Sequence, residues 1–305
     1  METNKRKKKR AKSEVLLIIC SMIIPVYVFI LFYIVPNFRG FTLAFFDRHG
    51  NFTWDNFERV WQMLKSADSD LIVGFKNTFL AFAINVIKYP FSVMVPFFLY
   101  KKVPFHRIHR FLFFLPGIIM SVITSMVTAN LLAPTGPIAE IVAQVMGMDY
   151  TPELLADSRF ANIVLFVQML WLSFPGDLIV WGGTFARIPT ELLEAGRIDG
   201  VNWWQEFVMV VVPLVWPTVA LQMVLMACGI FNNGTSAFLM TRGEYGTMTF
   251  GCWMELQMLA GSGAKYGSGV HNFMSAVGLC VTLIAVPLGM VVRKIAGKSF
   301  SEVEF

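Results

Sequence analysis

The sequence predicts an all-α polytopic membrane protein with six transmembrane helices, and three observations carry that prediction. Of 305 residues, 56% are apolar and 15% charged, and the mean hydropathy is +0.61, whereas a soluble domain carries about 25% charged residues. Six stretches reach the roughly 20 apolar residues needed to cross about 30 Å of hydrocarbon. Basic residues crowd the segments on one side of those stretches, the asymmetry that orients membrane proteins.

The first stretch, residues 15–35, follows Lys5-Arg6-Lys7-Lys8-Lys9-Arg10. A secretory leader also opens on basic residues, but its apolar core spans about 7–15 residues before a small-x-small cleavage site. This stretch runs for 21 residues into Val35-Pro36-Asn37 and therefore reads as a retained anchor. The others are residues 77–100, 111–132, 160–186, 207–233 and 271–292. Four of the six hold no Asp, Glu, Lys or Arg; the second holds Lys88 and the fourth Asp177. Each holds proline: Pro25, Pro90 with Pro96, Pro116, Pro175, Pro213 with Pro217, and Pro287. Proline bends a helix by removing a donor, which membrane spans tolerate where neighbours re-satisfy the freed carbonyl.

With the amino terminus inside, the inside segments hold 16 of the 25 Lys and Arg, the outside segments hold 8, and Lys88 is the remaining one. Both termini are expected in the cytoplasm. The net charge of +5 and the pI near 9.0 come largely from the basic tail, which suits anionic lipid and does not call for nucleic acid. The chain divides into a cytoplasmic tail (1–14), a first transmembrane helix with an outer loop (15–76), a core of five spans (77–292) and a second cytoplasmic tail (293–305). On the outside, residues 136–147 (GPIAEIVAQVMG) read as a short amphipathic surface helix, and residues 234–270 are rich in Gly, Ser and Thr.

Enzyme chemistry finds no support. Cys20, Cys228, Cys252 and Cys280 form no disulfide or zinc spacing, and His106 and His109 lack the glutamate and the i,i+4 spacing of a zinc helix. No residue is assigned a catalytic or metal-ligating role. No Walker A loop is present, so a nucleotide would need another polypeptide.

The longest inside connection reads IPTELLEAGRIDGVNWWQEFVMVVVPLVWPT, residues 188–218. Pro189 and Thr190 are helix-start signals, Glu191 places an anion at the positive helix end, and Gly200 is a stop signal. Asn202 with Gln205 three residues on forms a capping box for a second helix that runs into the fifth span. On the first helix Leu192, Ala195 and Asp199 share a face, with Glu191 and Glu194 adjacent. From the residues alone this is either a solvated connector or a helix built to dock.

The stretch resembles the EAA loop of permeases of binding-protein-dependent ABC importers, whose pattern is E-A-A, three residues, Gly, nine residues, then I-x-L-P. Glu194-Ala195-Gly196, Gly200 and Val210-Val211-Val212-Pro213 fall at those spacings, with Gly196 in place of the second alanine. The longer run IPTELLEAGRIDGVNWWQEF is similar to the carbohydrate-uptake branch, where ELxEAAxIDGAxxWQxF is usual. The resemblance reaches residues 136–171 and 266–278 and is weakest before Asn77. It implies a type I importer permease fold in the cytoplasmic membrane of a bacterium or archaeon, acting as one half of a heterodimeric pathway. It implies as partners a second permease, two cytoplasmic ATPase subunits that bind ATP and Mg, and an extracytoplasmic solute-binding protein. It assigns ATPase coupling to Glu191, Glu194, Ala195, Gly196, Asp199, Gly200 and Pro213.

Polar groups inside spans tend to face a bundle interior or a pathway. The pathway candidates are Asn85, Gln168, Gln222, Asn232 and Asn233, with Trp171 and Trp181 as stacking platforms for sugar rings. Lys88 and Asp177 differ in depth by about 6 Å at 1.5 Å per residue, within reach of a lysine; they form a structural pair, a pathway charge, or two unrelated groups. Importers of peptides, amino acids or phosphate esters, and a proton-coupled secondary carrier using that pair, are the alternatives to a sugar importer.

The topology is tested by labelling intact cells with a membrane-impermeant thiol reagent. Asn51→Cys and Gly263→Cys are expected to react and Ser301→Cys is expected not to; labelling at position 301 would overturn the orientation.

Overall fold

A computed structural model describes residues 20–47, 49–66, 69–260 and 269–299. The basic tail, the first residues of the first span, Gly263 and the carboxy-terminal tail from residue 300 lie outside the described residues. The helices are α1 (Cys20–Ala44), α2 (Asp55–Lys65), α3 (Ser69–Tyr100), α4 (His106–Ile118), α5 (Ser121–Leu132), α6 (Pro137–Met146), α7 (Ser158–Phe185), α8 (Thr190–Ile198), α9 (Trp203–Cys228), α10 (Thr235–Met240), α11 (Phe250–Ala260) and α12 (Val270–Ser299). Among the described residues, six stretches are long and apolar enough to span a bilayer: α1, α3, α5 continued by α6, α7, α9 and α12.

The first and third spans differ most from the sequence reading. The first span runs on to Ala44, past Pro36, because the helix widens into a π turn over Ile30–Ile34 just before that proline. A second π turn, Glu206–Val211, stands in the same relation to Pro213. Proline's ring clashes with the carbonyl four residues back and offers it no donor, and a local i→i+5 register moves that carbonyl aside. The expected third span, residues 111–132, is two helices: Ile119 (ψ 133°) and Met120 (ψ 137°) are extended between α4 and α5. The residues leading into the break, Pro116-Gly117-Ile118-Ile119, combine a helix breaker, a poor helix former and two β-branched side chains.

The described residues fall into two compact units, one drawn from within residues 1–62 and 261–280, the other from within residues 63–260 and 281–305. In the first, two buried asparagines satisfy the orphan carbonyls at the end of α1. Asn56 Nδ2 donates to Ala44 O (3.0 Å) and Phe46 O (3.1 Å), and Asn272 Nδ2 donates to Phe46 O (2.6 Å) and Leu43 O (3.2 Å). The next turn is held by Asp47, whose carboxylate accepts from the backbone N–H groups of Asn51 (2.9 Å) and His49 (2.7 Å). Those hydrogen bonds, that of Asn51 first, hold its pKa below the usual carboxylate value. The outer segment read as a loop is therefore largely helical; α2 buries Asn56 and Val60 and leaves Trp61 and Leu64 exposed.

In the second unit, α4 packs against α7 so closely that a Cβ on Gly117 would stand 2.5 Å from Pro175 Cβ. The segment after α9 folds into α10 and α11 and returns onto α3. There Thr78, fully buried, accepts from Phe250 N (2.9 Å), and Asn77 Nδ2 donates to Gly246 O (2.7 Å) and Met248 O (2.8 Å). The helix expected over 136–147 is α6, closed by Gly147 in the left-handed region (φ +64°), with Ala143 buried and Ala139 buried beside Leu132 and Leu154. The principal core joins Val93 and Phe97 of α3, Trp181 and Phe185 of α7, and Phe207, Val211, Val215 and Val219 of α9.

Gly234 and Gly251 meet back to back, and a Cβ on Gly234 would lie 2.4 Å from backbone atoms of Gly251 and Cys252. Backbone cannot step aside, so Gly234→Ala is expected to cost about 2–3 kcal/mol, read as a lowered thermal midpoint of the solubilised protein. Gly182→Ala, with open space around it in the last turn of α7, is expected to be neutral or slightly stabilising in the same assay.

Candidate functional site

The connection between α7 and α9 is a helix, a left-handed glycine and a capped second helix. Val201 N donates to Gly196 O (3.0 Å) and Asp199 N to Ala195 O (3.0 Å), with Gly200 at φ +78°; the six-to-one bond and left-handed glycine are a Schellman stop. Asn202 Oδ1 accepts from Trp204 N (3.0 Å) and Gln205 N (2.9 Å), while Asn202 N donates to Gln205 Oε1 (3.0 Å). That reciprocal capping box fixes the direction in which the second helix leaves.

The two sides of α8 differ. Leu193 is buried in the core shared by α3, α7 and α9, and Gly196 is buried beside Val201 and Val210. Glu191, Leu192, Glu194, Ala195 and Asp199 are exposed, as is Ile198 at 86%. A carboxylate pair beside an exposed isoleucine has the composition of a docking face. A Cβ on Gly196 would meet Val201 Cγ2 at 3.6 Å, an ordinary contact, so an alanine there would fit.

Glu206, in the π turn, is buried and pairs with Lys101, whose ammonium also lies 5.4 Å from the centroid of the Phe97 ring. The other oxygen of Glu206 has no hydrogen-bond partner among the described residues. This pair ties the end of α3 to the start of α9.

Four pathway candidates converge on one cavity of about 230 Å³: Asn85 and Lys88 of α3, Asp177 of α7 and Gln222 of α9. Lys88 Nζ lies 2.6 Å from Asp177 Oδ2, donates to Ser173 Oγ, and stands 5.1 Å from the centre of the Phe174 ring. The two charged side chains are only 12% and 21% exposed. Asn232 and Asn233 line a second cavity, of about 150 Å³, with Asn77, Asn162, Thr235 and Thr247.

No protein-family model matches the sequence. The chain is 27% identical over 84% of its length to the osmoprotective compounds uptake permease protein GgtC of Synechocystis, covering 90% of that protein. It is 25% identical over 72% of its length to YesP of Bacillus subtilis, a probable ABC transporter permease protein, covering 72% of it. It is 26% identical over 62% of its length to the maltose/maltodextrin permease MalF of Vibrio vulnificus, spanning 36% of that longer chain. Its fold matches a chain of a bacterial ABC transporter involved in import of the acidic polysaccharide alginate, with a TM-score of 0.76 at 18% identity over 96% of this chain and 99% of that one. In sequence and in fold the chain is similar to ABC transporter permeases. It is accordingly a multi-pass membrane component, and its relatives are transport subunits.

The remaining candidates lie elsewhere. Gln168 is buried and donates to Ser125 Oγ (3.0 Å), a bond between α7 and α5. Trp181 is fully buried in the core, 6.0 Å from Phe185 and 6.3 Å from Tyr89 by ring centres, so its ring faces protein and not a cavity. Trp171 is 38% exposed and lines neither cavity described above. Pro213 follows the π turn in α9. Sequence reasoning passed over Tyr89, Ser92 and Ser173, which complete the first cavity, because hydroxyls in apolar runs are ordinary. It also passed over Ile198 and over the Lys101–Glu206 pair, whose members are 105 positions apart.

For Lys88 and Asp177, each single reversal is expected to lose about 2–3 kcal/mol of stability with most of the uptake, because one charge is left unpaired in a poorly hydrated site. Lys88→Asp combined with Asp177→Lys is expected to recover part of that loss, giving a coupling above about 1 kcal/mol in a double-mutant cycle. Strictly additive losses would reject the pairing.

Proposed function

We propose that this permease forms one half of the translocation pathway of an ATP-driven sugar importer and is coupled to a separate ATPase through α8. The observation that carries the coupling is the two-sided α8. Leu193 is sunk in a core made by three spans, while Glu191, Glu194, Ala195 and Ile198 face outward from it. A partner gripping the exposed face moves Leu193, and Leu193 displaces α3, α7 and α9 together, since close-packed side chains transmit displacement. A two-state membrane unit is then biased by contacts that differ between its states.

With the basic segments inside, α8 faces the cytoplasm, where two ATPase subunits bind ATP and Mg. A second permease completes the pathway, and an extracytoplasmic binding protein delivers the solute from the opposite face. The binding-protein partner is supported by the structural neighbour, at TM-score 0.76 and 18% identity, whose complex contains an alginate pentasaccharide-bound periplasmic protein. Sugar as cargo is supported by the maltodextrin relatives and by cavities lined with amides and hydroxyls, the groups that pair with polyol hydroxyls.

Glu194→Lys is expected to leave membrane insertion and the ATPase's own nucleotide binding intact. Subunit association, binding-protein-stimulated hydrolysis and uptake should fall together, by about tenfold or more, because charge reversal on a docked helix brings repulsion and unpaired desolvated groups. Normal assembly with normal stimulated hydrolysis in nanodiscs would remove the coupling role from this loop.

A further inference from the structure

Among the described residues, the cavity between α3, α7 and α9 is lined by two charged side chains, Lys88 and Asp177, and they neutralise each other. Its other polar lining groups are Asn85, Tyr89, Ser92, Ser173 and Gln222, amides and hydroxyls that carry no charge. The Lys88 ammonium is committed three ways, to Asp177 Oδ2 at 2.6 Å, to Ser173 Oγ and to the face of Phe174. A carboxylate on a ligand could claim that ammonium only by displacing Asp177, which would leave a largely buried carboxylate unpaired. A neutral polyol asks only for donors and acceptors, which the amides and hydroxyls supply. Among the described residues, the second cavity has no charged residue in its lining.

We propose that the Lys88–Asp177 pair is the charge filter of the pathway: it holds the cavity at zero net charge, so that uncharged polyhydroxyl solutes are admitted and anionic ones, such as uronate-containing sugars, are disfavoured. The proposal rests on the reading of this cavity as part of the solute pathway, and it separates this chain's expected cargo from the acidic polysaccharide carried by its structural neighbour.

The test needs no knowledge of the cargo. In the assembled transporter, with the four native cysteines replaced by alanine, Asn85→Cys or Gln222→Cys is reacted with a cationic and with an anionic methanethiosulfonate of similar size. Rates are normalised to those with a free thiol. With the pair intact, the anionic-to-cationic rate ratio is expected within about threefold of one; Asp177→Asn is expected to raise it about tenfold and Lys88→Met to lower it about tenfold. Lys88→Met combined with Asp177→Asn should return it to the starting value. A tenfold bias with the pair intact, or a ratio unmoved by Asp177→Asn, overturns the filter while leaving the pathway reading in place. If neither introduced cysteine reacts with either reagent, the cavity is not on the pathway and both readings fall.

Discussion

The burial of Leu193 is the contact on which the mechanical reading of this protein depends. An apolar side chain leaving water stabilises its position by about 1.5–3 kcal/mol, and this one does so in a core to which α3, α7 and α9 all contribute. The helix carrying it has only nine residues, too few to hold its shape in water by itself. Its form comes from the anchor below, the glycine stop behind and the capping box that launches α9. The exposed carboxylates and Ile198 are thereby presented on a rigid base, so force applied to them is delivered into the spans.

The same economy governs the charged groups within the spans. Lys88 with Asp177, and Lys101 with Glu206, each join α3 to a different partner helix. One pair stands in a cavity wall, and the other closes the junction beneath the coupling helix. Ions so poorly hydrated persist only with a partner, which makes each pair a rivet at a defined depth. The two π turns do related work for the backbone: each lets a helix carry a proline without ending there.

Local signals made much of this legible. The capping box at Asn202 and Gln205, the stop at Gly200 and the helix at 136–147 depend on residues within a few positions of one another, where spacing determines geometry. The Lys88–Asp177 pair was legible because each stood alone in an apolar run. What the sequence concealed is tertiary. Trp181 looks the same in a string of letters whether it walls a cavity or fills a core. Glu206 reads as an ordinary polar flank until Lys101 is seen beside it. The break at Ile119 and Met120 is hidden because hydropathy counts apolar length and ignores backbone direction. The passage of α1 beyond Pro36 is hidden because proline is a stop signal in the absence of a register change.

The contact between Gly117 and Pro175 reaches beyond this one chain. A hydrogen faces a pyrrolidine ring there, with no room for a methyl group, so neither position can drift independently over evolutionary time. A relative that gains a side chain at the glycine must shed the ring opposite or separate the two helices, and in the latter case it loses the depth at which Asp177, two residues beyond the proline, meets Lys88. The pair of positions should therefore change together across divergent relatives, a statistical trace of a steric fact.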